Sequence, residues 1–253
     1  MKQIKSTGIV FGDMHFPLHD EKAFSCALKV IEKVKPDVFI NLGDFAEGEY
    51  VSHWRWSRRR RPPLEYQLPL IDKEADEVNY HMDRIDKVLD KVGCKKKYLA
   101  MGNHDNWYNA FVEENPYLDG YKPEHLFKIK ERGYKWYPYG ELFKVEGSKL
   151  YAYHGGHYTS INHSRTTVQN LGCNVIYGHT HDSMKSVVTH LTGAKMAYSM
   201  GCLCKMEKEF LKNRQTNWTH NVGILDIFTN GDFNLNVLTI INGKTSYNGK
   251  VIG

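Results

Sequence analysis

Five short apolar runs constrain the fold of this chain most strongly, because each stops at a cluster of aspartate, asparagine or histidine. The runs have the length and composition of buried strands. The clusters are Asp13/His15, Asp44, Asn103/His104/Asp105, His154 and His179/His181. Four of the five have a glycine directly before the first polar residue, which permits a tight turn. Since ligands bind at the carboxyl ends of strands in open α/β sheets, we expect these side chains to share one sheet edge.

The segments between these runs predict helices early in the chain and hairpins late. A helix capped by Asp20, a long polar helix at about 71–92 and a short one at about 164–171 have apolar residues at helical spacing. Residues 45–69 and 106–140 predict loops and short helices. The C-terminal third of the chain alternates like antiparallel strands, with turn signals at Gly193, Gly231 and Gly243. This order predicts an α/β fold with a mixed or two-layered sheet.

The length and composition predict one domain and no membrane contact. At 253 residues the chain fits a single domain over 1–253, with an Arg/Trp-rich and helical insert at about 45–95. No apolar run approaches the roughly 18 residues of a membrane span, and the N-terminus does not resemble a signal peptide. Five cysteines, an odd number, suit a reducing compartment. A soluble, cytoplasmic protein is therefore expected.

The residue types in the five clusters select a chemistry. Carboxylate, amide and imidazole ligands without thiolate suit Mn, Fe or Zn in a catalytic site. Each cluster alone is weak evidence, because Gly-Asp after a strand is usually a turn. Together they offer too many ligands for one four-coordinate ion and about the right number for two. Two ions roughly 3.5–4 Å apart clamp the attacking and leaving oxygens of a phosphoryl displacement.

The order and spelling of these clusters resemble the calcineurin-like metallophosphoesterase superfamily. The matching stretches, GDMH, LGD, GNHD, YHGG and GHTH, lie between residues 12 and 181. The resemblance implies a four-layer α/β/β/α sandwich with two mixed sheets. It also implies two divalent metal ions at the sheet edge, expected to be Mn²⁺, with Fe, Zn or Ni as alternatives.

The resemblance gives each motif residue a role. The ligands of the first ion would be Asp13, His15 and His181. The ligands completing the second ion would be Asn103, His154 and His179. Asp44 would bridge both ions, His104 matches the catalytic histidine, and Asp105 would orient it.

Two departures from the family pattern leave alternatives open. The fourth motif is His154-Gly155-Gly156-His157, where the family often has His-Gly-His. His154 is preferred because it follows the strand directly, and His157 stays open as the ligand. The segment after Gly43-Asp44 lacks a second aspartate often seen there, which leaves two alternatives: Glu47 substitutes for it, or no residue does.

The implied activity is hydrolysis of phosphodiester bonds, of nucleotides or nucleic acid, by a hydroxide that bridges the two metals. His104, when protonated, would stabilise a phosphoryl oxygen or protonate the leaving group. The alternative is a phosphomonoesterase or protein phosphatase on the same scaffold. A non-catalytic scaffold is disfavoured, because every ligand position is filled. The arginine-rich segment and the C-terminal end resemble phage-encoded members of the superfamily.

The remaining candidates concern substrate and partners. Arg58, Arg59, Arg60 and Arg61, flanked by Trp54 and Trp56, offer donors for phosphate and flat faces for bases. They could equally form a solvated loop, or pair with Asp72, Glu74, Asp76 and Glu77 of the next helix. Trp107 could stack on a substrate base or pack on a helix. Cys202 and Cys204 are interpreted as packing, and homo-oligomerisation is left open.

Overall fold

Two β-sheets form the centre of the computed structural model, which describes residues 3–57, 60–207, 211–212 and 214–253. The strands are β1 (Ile4–Phe11), β2 (Val38–Asn41), β3 (Lys96–Ala100), β4 (Tyr134–Tyr137), β5 (Phe143–Lys144), β6 (Leu150–Ala152), β7 (Asn174–Tyr177), β8 (Lys185–His190), β9 (Gly193–Ser199), β10 (Asn221–Phe228), β11 (Phe233–Thr239), β12 (Thr245–Tyr247) and β13 (Lys250–Ile252). The helices are α1 (Glu21–Val34), α2 (His53–Trp56), α3 (Leu64–Val92), α4 (Asn103–Glu114), α5 (Pro123–Leu126) and α6 (His163–Leu171), with a 3-10 turn at Asp119–Tyr121.

Both large sheets are mixed. The first has the order β11-β10-β1-β2-β3-β4, in which β1 to β4 run parallel and β10 pairs antiparallel with β1 and β11. The second has the order β5-β6-β7-β9-β8, with β6, β7 and β9 parallel and an antiparallel strand at each edge. Strands β12 and β13 form a separate antiparallel pair.

Alternation along the central strands shows how the layers stack. In β1, Ile9 and Phe11 join the cluster packed under the helices, whereas Val10 joins the cluster between the two sheets. The far face of the second sheet carries a third cluster, in which Tyr177 of β7 packs with Val168 of α6. The order is therefore α1, α3 and α4, then sheet, sheet and α6. This confirms the four-layer α/β/β/α sandwich with two mixed sheets.

The predicted helices form, with one shifted start. The Asp20 side chain accepts a hydrogen bond from the Ala23 N–H and caps α1. Helix α3 carries the expected buried stripe, including Val78, Met82 and Ile85. It begins at Leu64 rather than near residue 71. The buried Gln67 donates to the Tyr50 carbonyl oxygen at 2.7 Å, a tertiary contact that helps to fix this first turn.

Strand β4 was not predicted, since residues 106–140 were expected to hold only loops and short helices. The strand forms by parallel pairing with β3, with Leu99 opposite Trp136, and it buries Tyr134. A four-residue strand is decided by the neighbour with which it pairs, which local pattern does not reveal. Within the described residues, no helix has the length and apolarity to cross a membrane.

Candidate metal centre

The carboxyl ends of β1, β2 and β3 meet those of β6 and β7 at one edge of the sandwich. Backbone hydrogen bonds hold the loops together, from the Asp13 N–H to the Gly43 carbonyl at 3.0 Å and from the Gly178 N–H to the His154 carbonyl at 2.8 Å. His154 Nδ1 donates to the Leu42 carbonyl at 2.7 Å, which links the second sheet to the first. All five polar clusters of the sequence therefore lie in one place.

One group of side chains comes from the first and last motifs. His15 Nε2 lies 3.1 Å from His181 Nε2, and His181 Nε2 lies 3.2 Å from Asp13 Oδ1. All three side chains are buried. Two ring nitrogens and a carboxylate oxygen thus face a common point.

A second group comes from the third, fourth and fifth motifs. Asn103 Oδ1 lies 3.0 Å from His154 Nε2 and 2.8 Å from His179 Nδ1. These two ring nitrogens are 3.3 Å apart. The donor atoms again converge on one point.

Asp44 stands between the two groups. Its Oδ2 lies 3.7 Å from His15 Nε2 in the first group and 3.4 Å from His154 Nε2 in the second. Its Oδ1 accepts a hydrogen bond from the His104 N–H at 2.9 Å, which fixes the direction of the carboxylate. A single buried carboxylate therefore serves both groups.

The backbone around these residues is strained. Asp13, His15, Asp44, His179 and His181 all have positive φ, between 47° and 70°. Non-glycine residues rarely adopt this conformation, and such outliers cluster at functional sites. The strain is a cost that only the converging arrangement explains.

Two glycines make the convergence possible. A Cβ at Gly102 would overlap the Asp44 carboxylate, and a Cβ at Gly178 would overlap that of Asp13. Close approach, rather than backbone freedom, is therefore what glycine supplies at these two positions.

The buried charges shift one another. Burial alone would raise the pKa of the Asp44 carboxyl, but the His154 and His104 imidazoles outweigh it and hold that pKa well below its usual range. Burial opposes the charge on His154, yet the Asp44 carboxylate raises its pKa to about 9. For His181, Cys204 and Asp13 likewise overcome burial and raise the pKa to about 10. The carboxylates therefore give the centre a negative potential, which stabilises protonated histidines or a bound cation there.

His104 lies beside the centre with its ring held from two sides. Its Nδ1 donates to the Glu47 carbonyl at 2.6 Å, and its ring centroid is 3.9 Å from that of Trp107. Burial lowers its pKa to about 4. Because Nδ1 carries the proton, Nε2 is left to face a ligand.

The orienting contact expected from Asp105 is made instead by Glu47. The Asp105 carboxylate accepts hydrogen bonds from the backbone N–H groups of Asp44, Gly102 and Ala46, at 2.8, 2.8 and 3.2 Å. Burial and the Asp44 carboxylate raise its pKa. Its place in the structure is to tie the second motif to the third.

The two histidines of the fourth motif are placed differently. His154 is fully buried and reaches Asp44, whereas His157 is exposed and stacks on Tyr153 with ring centroids 5.6 Å apart. The structure thus brings His154, and not His157, to the centre.

Three further side chains contact the candidate ligands, although the sequence predicted none of these contacts. The Glu47 carboxylate lies 3.0 Å from His15 Nδ1, Cys204 Sγ lies 3.7 Å from His181 Nδ1, and the Trp218 ring lies 4.3 Å from that of His181. Cys204 therefore contacts a candidate ligand instead of only filling the core. Glu47 was open from its place after Gly-Asp, but nothing in the sequence marks Trp218.

The described arginines of the arginine-rich segment are not among the side chains that converge at the centre. Arg61 pairs with Glu114, and Arg55 pairs with Glu49 while lying over the rings of Tyr50 and Trp56. Arg60 is exposed, and Arg58 and Arg59 lie outside the described residues.

The expected carboxylate partners on α3 are not those found. The buried Glu74 accepts hydrogen bonds from the Tyr108 hydroxyl at 3.2 Å and the Glu49 N–H at 3.0 Å. Arg55 and Arg61 therefore do form ion pairs, as one alternative expected of the arginines in this segment, but with Glu49 and Glu114 rather than with carboxylates of α3. Trp107 packs on the core and on His104, which favours the packing alternative over an open stacking face.

The donor set fits divalent metal ions. Three groups at the centre place ligand atoms within 4.8 Å of one another: Asp44 with His154 and His179, His15 with His181 and Cys204, and His15 with Asp44 and His104. His154 Nδ1 donates to the Leu42 carbonyl, and His154 Nε2 faces two acceptors, Asn103 Oδ1 at 3.0 Å and Asp44 Oδ2 at 3.4 Å. A cation, either a proton on Nε2 or a metal ion, is therefore needed among these lone pairs. Oxygen and nitrogen donors in this mixture suit Mn, Fe or Zn.

The layered α/β fold and this edge of carboxylates and imidazoles define a protein of the metallophosphoesterase class. Residues 9–212 match the family model described as calcineurin-like phosphoesterase, and the chain belongs to this family. A search of curated proteins gives no match.

Two solved structures are similar to this chain at low identity. Vacuolar Protein Sorting 29 from Cryptosporidium parvum is 14% identical, covers 99% of each chain and has a TM-score of 0.52. Yfce, a phosphoesterase from E. coli, is 15% identical, with 98% of this chain and 97% of that chain covered and a TM-score of 0.44. The first likeness confirms the fold alone.

Proposed function

We propose that the chain is a dinuclear-metal phosphoesterase that hydrolyses phosphodiester bonds of nucleotides or nucleic acid. The observation that carries the proposal is the placement of Asp44, whose Oδ2 lies within 3.7 Å of His15 in one donor group and 3.4 Å of His154 in the other. One carboxylate shared by two groups is what a paired metal site requires.

In this proposal each donor group holds one ion. Asp13, His15 and His181 would hold the first, Asn103, His154 and His179 would hold the second, and Asp44 would serve both. Two such ions, Mn²⁺ or alternatively Fe, Zn or Ni, supply a water of lowered pKa and neutralise charge on the phosphoryl group. The chain's own part is to fix the ligands, through strained loops and buried hydrogen bonds.

His104 completes the site. Its ring is fixed by the Glu47 carbonyl and Trp107, which leaves Nε2 facing the centre. Nε2 would have to be protonated, as a bound phosphoryl anion favours, to hydrogen-bond a phosphoryl oxygen or protonate the leaving group. Asp105 keeps the loops of Asp44 and Gly102 together and thereby keeps His104 in register with the metal ligands.

The charges favour a diester over a monoester. A monoester dianion needs cationic side chains near the metals, and Arg55 and Arg61 are paired with Glu49 and Glu114. The exposed Arg60 is the candidate contact for a polyanionic substrate, and Arg58 and Arg59 lie outside the described residues. The phosphomonoesterase or protein phosphatase is the second candidate.

The test is a substrate panel on the purified, manganese-loaded protein. It compares bis-p-nitrophenyl phosphate, p-nitrophenyl phosphate, cyclic nucleotides, and single- and double-stranded DNA and RNA. We expect higher kcat/KM on the diester than on the monoester. Faster monoester hydrolysis would replace this proposal by the second candidate. Two bound ions with no hydrolysis of any ester would indicate a scaffold.

A further inference from the structure

We propose that the cleft beside the metal centre walled by Trp218 is a nucleoside-binding subsite. The inference rests on the proposed function and names the group on which specificity depends. The Trp218 ring contacts that of His181 without being a candidate metal ligand.

Trp218 is held rigidly against the fifth motif. Residues Asp182 and Trp218 form an antiparallel bridge, and the Thr219 N–H donates to the His181 carbonyl at 2.9 Å. On the other side, the Cys202 N–H donates to the Thr219 carbonyl at 2.9 Å. These bonds fix the backbone at Trp218, and the indole lies with its ring centroid 4.3 Å from that of His181, at an interplanar angle of 64°.

The same indole lines a cleft of about 460 Å³, which falls in the size range of small-molecule sites. Among the described residues its other walls include Lys22, Thr219, His220 and Asn242. Trp218 thus borders the cleft on one side and the ligand His181 on the other.

The lining suits a flat, polar and anionic ligand. A tryptophan face stacks bases without regard to their sequence. Lys22, on the first turn of α1, brings a cation to the cleft, and the Asp20 carboxylate, which accepts from the Ala23 N–H at 2.8 Å, lines the cleft as well. Asn242 and Thr219 offer hydrogen-bonding groups. An aromatic wall, a cation and polar groups at one metal edge fit a nucleoside carrying phosphate.

The experiment compares two ligands with the same phosphate end. Dissociation constants of adenosine 5′-monophosphate and methyl phosphate are measured by calorimetry on manganese-loaded wild type, W218A, W218L and W218F. The ratio of the two constants cancels any change at the shared metal centre. Y117A, which removes an aromatic ring that is 76% exposed, is the matched control.

We expect the wild type to prefer the nucleotide and W218A to lower that preference by about 5- to 150-fold, since base stacking on an aromatic residue is worth about 1–3 kcal/mol. W218L should lose as much while retaining apolar volume, W218F should retain most of the preference, and Y117A all of it. Equal binding of the two ligands by wild type, or a wild-type ratio in W218A and W218L, overturns the subsite.

Failure of the proposed function is recognised separately. If no ester is hydrolysed, adenosine itself is titrated into wild type and W218L. Binding that disappears in W218L supports the subsite without catalysis, and the absence of adenosine binding to wild type rejects it.

Discussion

The metal centre and the arginine-rich segment Trp54–Pro63 are both polar clusters conspicuous in the sequence, yet the structure treats them differently. Asp13 and His154 are fully buried at the ends of central strands. Arg55 and Arg61 keep 33% and 28% of their side-chain surface exposed and pair with carboxylates elsewhere in the chain. The sheet fixes the positions of polar residues that directly follow buried strands. Polar residues in a loop between elements form ion pairs with neighbouring carboxylates instead.

The difference lies in what anchors each cluster. The Asp13 N–H, the His15 N–H and the Phe16 N–H all donate to the loop after β2, at 3.0, 2.8 and 2.8 Å. Among the described residues in and beside the arginine-rich segment, the Trp56 indole N–H donates to the Tyr50 carbonyl at 3.3 Å, Gln67 donates to the same carbonyl, and Arg61 pairs with Glu114. A motif on a strand end is therefore a stronger predictor of a site than a charge cluster.

The largest effect is expected from Asp44→Asn. Removing the charge shared by both donor groups should lower metal content and reduce kcat/KM by more than the roughly 10²–10⁴ that loss of a general acid costs. Elemental analysis and kinetics on bis-p-nitrophenyl phosphate measure both quantities. Asp76→Asn, an exposed carboxylate on α3, is the control. Active wild-type protein with under about one ion per chain would contradict the paired site.

His104→Ala should separate chemistry from metal binding. Because its ring is held by the Glu47 carbonyl and Trp107, we expect metal content to stay and turnover to fall by roughly 10²–10⁴. The reduction should be smaller on esters with very acidic leaving groups. His125→Ala, at an exposed histidine, controls for imidazole loss. A fall in metal content together with activity would make His104 a ligand or a structural residue.

Glu74→Gln tests the buried carboxyl on α3 that accepts hydrogen bonds from the Glu49 N–H, ahead of the arginine-rich segment, and from the Tyr108 hydroxyl. Burial raises the pKa of Glu74 to about 8 from 4.5. The folded protein keeps this proton while the unfolded chain releases it, so wild-type stability should fall between pH 5 and 8, by up to about 1.4 kcal/mol per pH unit.

In Glu74→Gln this fall should disappear, since the amide oxygen still accepts from the Glu49 N–H. Urea denaturation of both proteins at pH 5 and 8 gives the difference. Glu77→Gln, an exposed position on the same helix, should retain the wild-type slope. If the stability of wild type and Glu74→Gln depended equally on pH, the group that titrates would not be Glu74.

The smallest effect is expected from changing Arg58, Arg59, Arg60 and Arg61 to Ser. For every arginine that binds a substrate phosphate, its replacement should flatten the log–log salt dependence of oligonucleotide binding by about 0.7–0.9. Arg61 should contribute least, because Glu114 already neutralises it. Hydrolysis of p-nitrophenyl esters should stay unchanged. An unchanged salt slope would identify a solvated loop, and an equal reduction on small and polymeric substrates a folding role.

Much of the fold could be predicted from local pattern. The apolar runs predicted β1, β2 and β7, and Asp20 marked the start of α1, because buried strands and capped helices carry their signals in adjacent residues. Strand β4 and the first turns of α3 could not be predicted. They depend on pairing with β3 and on the Gln67 contact with Tyr50, which join distant parts of the chain.

The candidate site divides in the same way. Sequence alone determined which residues end the strands and that Asp44, His154 and their companions belong to one edge, because parallel strands end together. Only the tertiary structure decided that Glu47 rather than Asp105 holds the His104 ring, that His154 rather than His157 reaches Asp44, and that Trp218 borders His181. Those contacts come from side-chain direction and from loops of the other sheet, which no spacing along the chain encodes.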